Sequence, residues 1–259
     1  MKISLSINPK EETKRIVNFL ISVRKKTKKD KVVIGLSGGI DSTTVFYLLK
    51  KAYKSENIIG VSLPYEKIKP IADKLIRFGG TNFYHTRVSP LRGPLGSEKI
   101  VTSSSSKVAN PANNIRLGNI IARIRIIVLF DLAKKYDALV CGTENKSERL
   151  LGYFTRFGDA ASDIEPISHL YKTQVRELAN YLKVPQKIID VAPTAGLWQG
   201  QTDEKELGFT YKEADQVLYL YYDKKMPVEK IPFKNSRKII KRVLNNQFKQ
   251  EVPYLLSSD

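Results

Sequence analysis

Short apolar runs alternate along the chain with longer segments in which apolar residues recur every three or four positions. The short runs predict strands at 32–36, 58–63, 82–88 and 138–143. The longer segments predict helices at 9–28, 43–53, 66–78, 115–135, 172–183, 186–190, 211–223 and 234–247. This alternation predicts an α/β fold, in which a doubly wound, mostly parallel β-sheet is flanked by helices and further helices form the C-terminus.

The segment 115–135 is the strongest predicted helix because it carries two apolar stripes. The first stripe is Leu117, Ile120, Ile121, Ile124 and Val128, and the second is Ala122, Ile126, Leu129 and Ala133. A helix with two apolar faces is buried on both, and we expect one face to meet the core and the other a second subunit of a homodimer. Its polar edge (Arg116, Asn119 and Arg123) fits either a ligand or an interface of ion pairs.

Two segments, 89–114 and 192–208, follow neither period and are predicted to be irregular. Loops of this length inside a compact domain are often lids over a site. A simple surface excursion is an equally good interpretation of 89–114. We therefore treat the stretches 89–113 and 194–208 as candidate lids that become ordered when a ligand binds.

A glycine-rich turn, Gly35-Leu36-Ser37-Gly38-Gly39-Ile40-Asp41-Ser42, connects the first strand to the second helix. A strand, a glycine turn and a helix start form a typical phosphate site, because glycines let backbone N–H groups approach the ligand. No Gly-Lys-Ser/Thr follows, so the turn is not a Walker A loop. Ordinary strand-to-helix turns also contain Ser, Gly and Asp, but six specified residues in this context favour phosphate binding.

Polar residues at the end of the strand 138–143 are predicted to lie beside this turn, because ligands bind at the carboxyl ends of parallel strands. Asp41 and Glu148 would give one Mg²⁺ two carboxylates near phosphate oxygens, although Glu148 alone would be an ordinary acid at a helix start. Lys172 begins a helix, where the dipole disfavours a cation, and this favours a phosphate partner.

Four further side chains are candidates with common alternatives. Thr143 and Thr194 offer hydroxyl donors, but each alone is most often a cap or turn residue. Phe154 and Phe157 suit stacking on an aromatic ligand ring, although packing in the core is the commoner role.

Composition limits the function classes. The 259 residues carry a net charge of +18, which fits a nucleic-acid binder, an enzyme of polyphosphate ligands or a lysine-rich surface. The single cysteine, Cys141, excludes an internal disulfide framework, and with only His85 and His169 a zinc site is improbable. We find no bilayer-length apolar run and no signal peptide, and we expect a cytoplasmic protein.

The glycine turn resembles the Ser-Gly-Gly-x-Asp-Ser loop of the adenine nucleotide α-hydrolase, or ATP pyrophosphatase, superfamily. Within it, nearly the whole chain resembles ammonia-dependent NAD synthetases, beginning with the Gly-Asn-x-x-Ala-Arg-x-Arg pattern at 118–125. The other matching segments are Gly142-Thr143 with Glu148, 152–159, Pro166, 170–174, 193–195, and 203–208 with Tyr211.

The resemblance implies a role for each matched residue. ATP would contact Gly35, Leu36, Ser37, Gly38, Gly39, Ile40, Asp41, Ser42, Thr143, Lys172 and Thr194. Nicotinic acid adenine dinucleotide would contact Arg123, Phe154, Arg156, Asp163 and Lys249. Mg²⁺ would be held by Asp41 and Glu148, and the catalytic residues would be Asp41, Asp159 and Lys172.

The implied reaction has two steps. The nicotinate carboxylate attacks the α-phosphate of ATP and releases pyrophosphate, and ammonia then displaces AMP to give NAD⁺. The resemblance leads us to expect that residues 1–259 form a single synthetase domain without a glutamine amidase domain, and that free ammonia is the nitrogen source. Membranes and nucleic acids are not expected partners.

The chain departs from the family pattern at two places. Arg156 stands where the family usually has Lys, and Phe248-Lys249-Gln250 stands where it usually has His-Lys-Arg. Two other functions compete with the synthetase: a tRNA-modifying thiolase or lysidine-type ligase of the same superfamily, and a nucleotide-binding regulator without catalysis. The paired cysteines that are usual in thiolases are absent.

Overall fold

A computed structural model describes residues 5–68, 70–71, 111–194, 196, 200–251, 253–254 and 256. Its sheet has three parallel strands, β1 (Lys31–Gly35), β2 (Ile58–Val61) and β3 (Ala138–Cys141), in the order β2-β1-β3. Val32 of the central strand β1 lies opposite Ile58 on one side and Leu139 on the other. The predicted strand 82–88 lies outside the described residues.

The predicted helices occur in the predicted order within the described residues, but the helices Lys146–Leu151 and Asp203–Leu207 were not predicted. The helices are α1 (Pro9–Thr27), α2 (Ile40–Ala52), α3 (Pro111–Tyr136), α4 (Lys146–Leu151), α5 (Lys172–Tyr181), α6 (Gln186–Ile189), α7 (Asp203–Leu207), α8 (Tyr211–Leu218) and α9 (Ser236–Asn246). Short turns of 3₁₀-helix occupy Ser55–Asn57, Val228–Lys230 and Gln247–Lys249, and a π-helical turn, Tyr219–Asp223, extends α8. In the described part of the chain, no helix is both long enough and apolar enough to cross a bilayer.

Helices cover both faces of the sheet, as the alternating pattern predicts. On one face, α1, α2 and α5 bury Leu20, Leu48 and Leu178 in one cluster with Ile34 of β1. On the other face, the second stripe of α3 packs on the sheet in a separate cluster. Because β1 lies between these layers, all three of its apolar side chains are fully buried, and the loop that follows it starts from a rigid base.

The two apolar faces of α3 are confirmed. Ile121 and Ile124, on the first stripe, pack against Ile68 of the same chain, so the expectation that this face meets a second subunit is wrong for these two residues. Between the two stripes, Ile127 is 66% exposed and Phe130 is 39% exposed. These two side chains leave an apolar surface on α3 uncovered by the described part of the chain.

The C-terminal helices form a second core with α4. Leu150 and Leu151 of α4 pack with Leu218 of α8 and with Ile239 and Val243 of α9. This core fixes α4 against α8, and α4 carries Glu148 at the edge of the sheet.

Several predicted boundaries are wrong. Residues 111–114 of the predicted irregular segment are helical, because Pro111 begins α3 at a position where no N–H is needed; the rest of 89–114 lies outside the described residues. Helix α2 begins at Ile40 rather than at residue 43, with Gly39 as its N-cap. β2 and β3 each end two residues before the predicted boundary. In the helix predicted at 66–78, residues 66–68 and 70–71 are helical and the others lie outside the described residues.

The prediction that 192–208 is wholly irregular is also wrong, because this segment contains α7. Thr202 is the N-cap of α7, and Gly208 ends the helix with a left-handed φ of 72°. The backbone N–H of Asp203 donates to the carbonyl of Pro193, and Leu207 is buried in the C-terminal core. Short helices of this kind depend on such tertiary contacts, which no local pattern of five residues reveals.

Candidate active site

The hydroxyl groups of the turn after β1 form hydrogen bonds within the turn itself. Gly38 has φ 83°, a left-handed conformation that favours glycine. The Ser37 and Ser42 hydroxyls lie 3.0 Å apart, and the N–H of Gly39 donates to Ser37 Oγ at 3.2 Å. Ser37 and Gly38 are exposed whereas Ser42 is buried. The exposed half of the turn therefore precedes the N-terminus of α2, where an anion is favoured.

A buried lysine joins the two carboxylates that the sequence assigned to magnesium. Lys172 is 3% exposed, and its Nζ donates to Asp41 Oδ2 at 2.5 Å and to Glu148 Oε1 at 2.8 Å. The second Asp41 oxygen accepts a hydrogen bond from Nδ2 of Asn145 at 3.0 Å. The two carboxylates raise the pKa of Lys172 against the opposing effect of its burial. The ammonium ion is therefore the cation that offsets these two acids.

Each of the three groups is positioned by a helix start. Asp41 lies in the first turn of α2, and Lys172 is the first residue of α5. Glu148 belongs to a capping box on α4, in which the Asn145 side chain accepts from the Glu148 N–H at 3.0 Å. Because these helix starts meet at the carboxyl edge of the sheet, residues from distant parts of the chain share one site.

The two carboxylates would supply only part of the ligand set of a divalent cation. Burial raises the pKa of Glu148, and the negative charge of Asp41 raises it further, while Lys172 opposes both effects. Two carboxylates with one lysine leave a net negative charge that a divalent cation would offset. Among the described residues no group of three acidic, histidine or cysteine side chains is arranged to hold a metal. Asp41 and Glu148 would therefore need phosphate or water as further ligands, which is usual for Mg²⁺.

A second pair of acids lies beside this site, behind the end of β3. The N–H of Glu144 donates to Oε2 of Glu165 at 3.1 Å, and Ser162 donates to Oε1 of Glu165 at 2.8 Å. Burial, together with the nearby charge of Glu165, raises the pKa of Glu144 to about 9. Burial raises the pKa of Glu165 to about 7. A Cβ atom at Gly142 would overlap the Glu165 carboxylate, so this position requires glycine.

The glycine turn opens into the larger of two neighbouring cavities, with a volume of about 550 Å³. The eleven residues predicted to contact ATP all line it, as do Glu148 and Asp159. Volumes of this size are typical of small-molecule sites. The tertiary structure thus brings the predicted ATP set together, including Thr143 and Thr194, which are distant in sequence from the turn.

The smaller cavity, of about 130 Å³, adjoins the first through Tyr153 and Asp159, which line both. Phe154 and Lys249, two of the residues predicted to contact the dinucleotide, line this smaller cavity. Nζ of Lys249 donates to the carbonyls of Gly152 at 2.7 Å and Phe154 at 3.0 Å. Burial lowers the pKa of Lys249. Its bonds tie the C-terminal segment to the cavity wall.

The other three residues predicted to contact the dinucleotide line neither cavity. Oδ2 of Asp163 accepts a hydrogen bond from the N–H of Val140 at 2.8 Å, so this carboxylate supports β3. Arg123 is exposed and donates through Nε to the carbonyl of Arg156 at 3.3 Å. Their assignment to the substrate stays a prediction.

The two departures from the family pattern contact each other. The Arg156 guanidinium carbon lies 5.4 Å from the centre of the Phe248 ring and 5.6 Å from that of Phe157. Such distances are typical of cation–π interactions. The Phe248 ring thus contacts the Arg156 guanidinium and helps to hold this cation in place.

The sequence assigned no role to several residues that complete the site. Asn145 is fully buried, and its side-chain amide donates to Asp41. Its Asn-x-x-Glu spacing to Glu148 is a helix-capping signal by which the sequence could have identified it. Asp203 is 3% exposed and lines the larger cavity, and its Oδ2 accepts from the Tyr211 hydroxyl at 3.1 Å. Asp203 Oδ1 has no hydrogen-bond partner within the described part of the chain. No local signal distinguishes Asp203 from its acidic neighbours.

The chain is similar to curated enzymes over nearly its full length. It is 40% identical over 260 residues to the NH(3)-dependent NAD(+) synthetase of Fusobacterium nucleatum, with 97% of each chain covered. It is also 40% identical over 247 residues to the Pyrococcus furiosus protein of the same name, covering 92% of this chain and 93% of the relative.

Solved structures agree with this similarity. The NH3-dependent NAD synthetase of Campylobacter jejuni, in complex with the nitrate ion, superposes with a TM-score of 0.70 and 27% identity, and the match covers 97% of this chain and all of that one. A structure described as NMN synthetase from Francisella tularensis gives a TM-score of 0.70 at 30% identity, with 98% and 99% covered. The predicted α/β fold is confirmed, and the relatives favour the synthetase over the tRNA-modifying alternatives. The family model for NAD synthase matches residues 12–253, and the chain therefore belongs to the NAD synthase family.

Proposed function

We propose that this chain converts nicotinic acid adenine dinucleotide, ATP and ammonia into NAD⁺, AMP and pyrophosphate. The observation that carries the proposal is the buried ion pair of Lys172 with Asp41 and Glu148 at the entrance of the glycine turn. Such a site offers a lysine cation and two carboxylates to a polyphosphate, and the larger cavity beside it has room for a small ligand.

In the first step, the nicotinate carboxylate forms a bond to the α-phosphorus of ATP, and the bond to the bridging oxygen breaks to release pyrophosphate. The backbone N–H groups of the glycine turn and the Ser37 hydroxyl would bind the leaving pyrophosphate. Lys172 would exchange its carboxylate partners for phosphate oxygens as negative charge develops there. Preorganised donors of this kind stabilise the transition state without reorganisation.

In the second step, the nitrogen of ammonia attacks the activated carbonyl carbon, AMP leaves, and a proton leaves the nitrogen. Asp159 lines both cavities, so its carboxylate is placed to meet a group passing between them. Asp203 also lines the larger cavity, and its Oδ2 accepts from the Tyr211 hydroxyl. Both are candidate acceptors for that proton, since a general base must lie within hydrogen-bond reach of it.

Asp41 and Glu148 would hold Mg²⁺, which when bound would offset the phosphate charge and favour departure of pyrophosphate. The smaller cavity would receive part of the dinucleotide between Phe154, Tyr153 and the basic side chain of Lys249. The NH(3)-dependent relatives support free ammonia as the nitrogen source. A cytoplasmic location stays a prediction.

A homodimer fits the exposed apolar surface of α3. Ile127 and Phe130 lie one turn apart on that helix and are 66% and 39% exposed. An apolar surface of this kind on a long helix is typical of a subunit interface.

The activity assay mixes the purified chain with ATP, Mg²⁺, ammonium and either nicotinic acid adenine dinucleotide or its mononucleotide analogue. We expect NAD⁺ and AMP in equal amounts with the dinucleotide. Preferred turnover of the mononucleotide would assign the chain to the activity named for the Francisella neighbour. Asp41→Ala should reduce NAD⁺ to background with the fold intact, whereas Asp190→Ala, at an exposed residue that lines neither cavity, should not. Wild-type turnover by Asp41→Ala would overturn the site assignment.

A further inference from the structure

A fully buried acid lies outside both cavities but directly behind the ion pair. Asp215, on α8, has an exposure of 0%. It lines neither cavity, so it does not face the space in which substrates are proposed to bind. An ionisable side chain buried in this way must find strong partners, since its desolvation costs several kcal/mol otherwise.

The hydrogen-bond partners of Asp215 belong to α4 and α5, the helices that carry Glu148 and Lys172. Ser147 Oγ donates to Oδ1 of Asp215 at 2.5 Å. The Thr173 N–H and hydroxyl each donate to Oδ2 at 2.8 Å. Ser147 Oγ in turn accepts the N–H of Lys172 at 2.8 Å. One carboxylate therefore connects the residue before Glu148 with the residue after Lys172.

These bonds satisfy the first two backbone donors of α5. The N–H groups of Lys172 and Thr173 have no partner within their own helix, as at every helix start. Ser147 Oγ and Asp215 supply the acceptors from α4 and α8, and a negative charge at this end is favoured by the helix dipole. The start of α5 is thus fixed by side chains from other elements rather than by its own preceding residues.

We propose that Asp215 is a positioning residue that fixes Lys172 relative to Glu148 and so sets the geometry of the ATP and magnesium site. The inference rests on the proposed function for its role in catalysis, but its effect on ATP binding does not depend on the product formed. Without Asp215, the Thr173 N–H and the Ser147 hydroxyl lose their acceptor. The Lys172 N–H still donates to Ser147 Oγ, so we expect a small shift of the two helix starts rather than their separation. A displacement of about 1 Å at a reacting group can cost about 100-fold in rate.

The test compares Asp215→Asn with Glu213→Gln on the same helix. Glu213 is the control because its half-buried carboxylate accepts from the Asn235 N–H and side-chain amide at 3.0 and 2.7 Å, away from the ion pair. Neither Glu213 nor Asn235 contacts the ion pair or lines a cavity. We expect Asp215→Asn to weaken binding of Mg·ATP, measured by calorimetric titration, by about 10-fold and to lower kcat by about 10- to 100-fold. Glu213→Gln should leave both within twofold at a comparable loss of thermal stability.

A double-mutant cycle distinguishes positioning from general destabilisation. In a Lys172→Met background, Asp215→Asn should weaken Mg·ATP binding by less than twofold, because the group it positions is gone. If Asp215→Asn does not fold, Ser147→Ala replaces it, since this change removes the hydroxyl between Asp215 and Lys172 with little loss of volume. An Asp215 variant that matches Glu213→Gln in affinity and kcat would overturn the proposal, as would equal losses with and without Lys172. If the wild type binds ATP but makes no NAD⁺, only the proposed function fails.

Discussion

Nζ of Lys172 lies 2.5 Å from Oδ2 of Asp41, although 131 residues separate the two in the chain. The same ammonium lies 2.8 Å from Glu148 and is almost completely buried. The lysine thus balances the carboxylates that would bind the metal. When ATP and Mg²⁺ bind, we expect the Lys172 ammonium to contact phosphate oxygens. The metal would then contact the two carboxylates.

Replacing the lysine should make stability depend on magnesium. Lys172→Met leaves two carboxylates without their cation, and we expect a loss of about 3 kcal/mol in the free energy of unfolding. Millimolar Mg²⁺ should restore part of it, because the ion binds the folded state. Urea titrations with EDTA or Mg²⁺ measure both effects.

The control for this experiment is Lys146→Met, because the Lys146–Asp223 pair is more exposed, with side chains 18% and 35% accessible. Its loss should be below about 1 kcal/mol and independent of Mg²⁺. Equal Mg²⁺ responses in both variants would contradict the assignment of Asp41 and Glu148 to the metal.

The acid beside the site should affect the pH dependence of stability. The pKa of Glu144 is raised to about 9 in the folded state, whereas an unfolded glutamate titrates near about 4.3. Between these values the folded state binds more protons, so Glu144 makes stability fall as pH rises. Glu144→Gln removes this effect, and its stability relative to the wild type should increase from pH 5 to pH 9 by up to about 1.4 kcal/mol per pH unit.

Chemical denaturation at several pH values measures this difference. Glu165→Gln is a second test variant, because removing the charge of Glu165 should lower the pKa of Glu144. The free energy of unfolding should then fall less steeply with pH than in the wild type. Parallel pH profiles for Glu144→Gln and wild type would show that Glu144 is ionised in the folded protein at neutral pH.

A methyl group at Gly142 should lower the stability of the fold. Its Cβ would overlap the Glu165 carboxylate and would lie 2.8 Å from Oγ of Ser162. We expect Gly142→Ala to destabilise the fold by about 1–3 kcal/mol, the usual cost of overpacking. Adding Glu165→Ala should recover most of this loss in a denaturant titration. A double variant no more stable than the sum of the two single losses would contradict the steric explanation.

The exposed surface of α3 should mediate dimerisation. The chain has a mass of 29.4 kDa, so light scattering distinguishes a monomer from a dimer readily. Ile127→Glu should shift a dimer towards monomer, because it places a charge in an apolar interface. Leu244→Glu on α9, at a residue 54% exposed, is the matched control and should not change the mass. A monomeric wild type would contradict the expected homodimer.

The contact between Arg156 and Phe248 should contribute to dinucleotide binding. Removing the ring by Phe248→Ala withdraws one of the two aromatic side chains beside the guanidinium. An exposed cation–π contact is worth about 0.5–1 kcal/mol, so KM for the dinucleotide should rise about two- to fivefold, with the affinity for ATP unchanged. Tyr254→Ala, 65% exposed near the C-terminus, serves as control. Equal KM values for both variants would show that the Phe248 contact does not contribute to dinucleotide binding.

The sequence alone determined most of the elements and the position of the glycine turn. Short-range rules predict the strand before Gly35, the glycine turn and the two apolar faces of α3. They succeed here because the spacing of apolar side chains and the conformational freedom of glycine act over a few residues. The same rules placed Asp41 and Glu148 at one edge of a parallel sheet, since strand order and ligand position are coupled in this fold. The resemblance of the glycine turn and later segments indicated the family, which the comparisons confirm.

Only the tertiary structure decided which partners these side chains have. It pairs Lys172 with both acids, directs Asp163 to the backbone of β3, forms α7 around Asp203, and buries Asp215 behind the helix starts. Local patterns cannot reveal these contacts, because a buried polar group takes whatever partner the packing of distant elements brings within hydrogen-bond distance. Because an unpaired buried polar group costs free energy, the folded protein keeps the hydrogen-bond partner that this packing supplies.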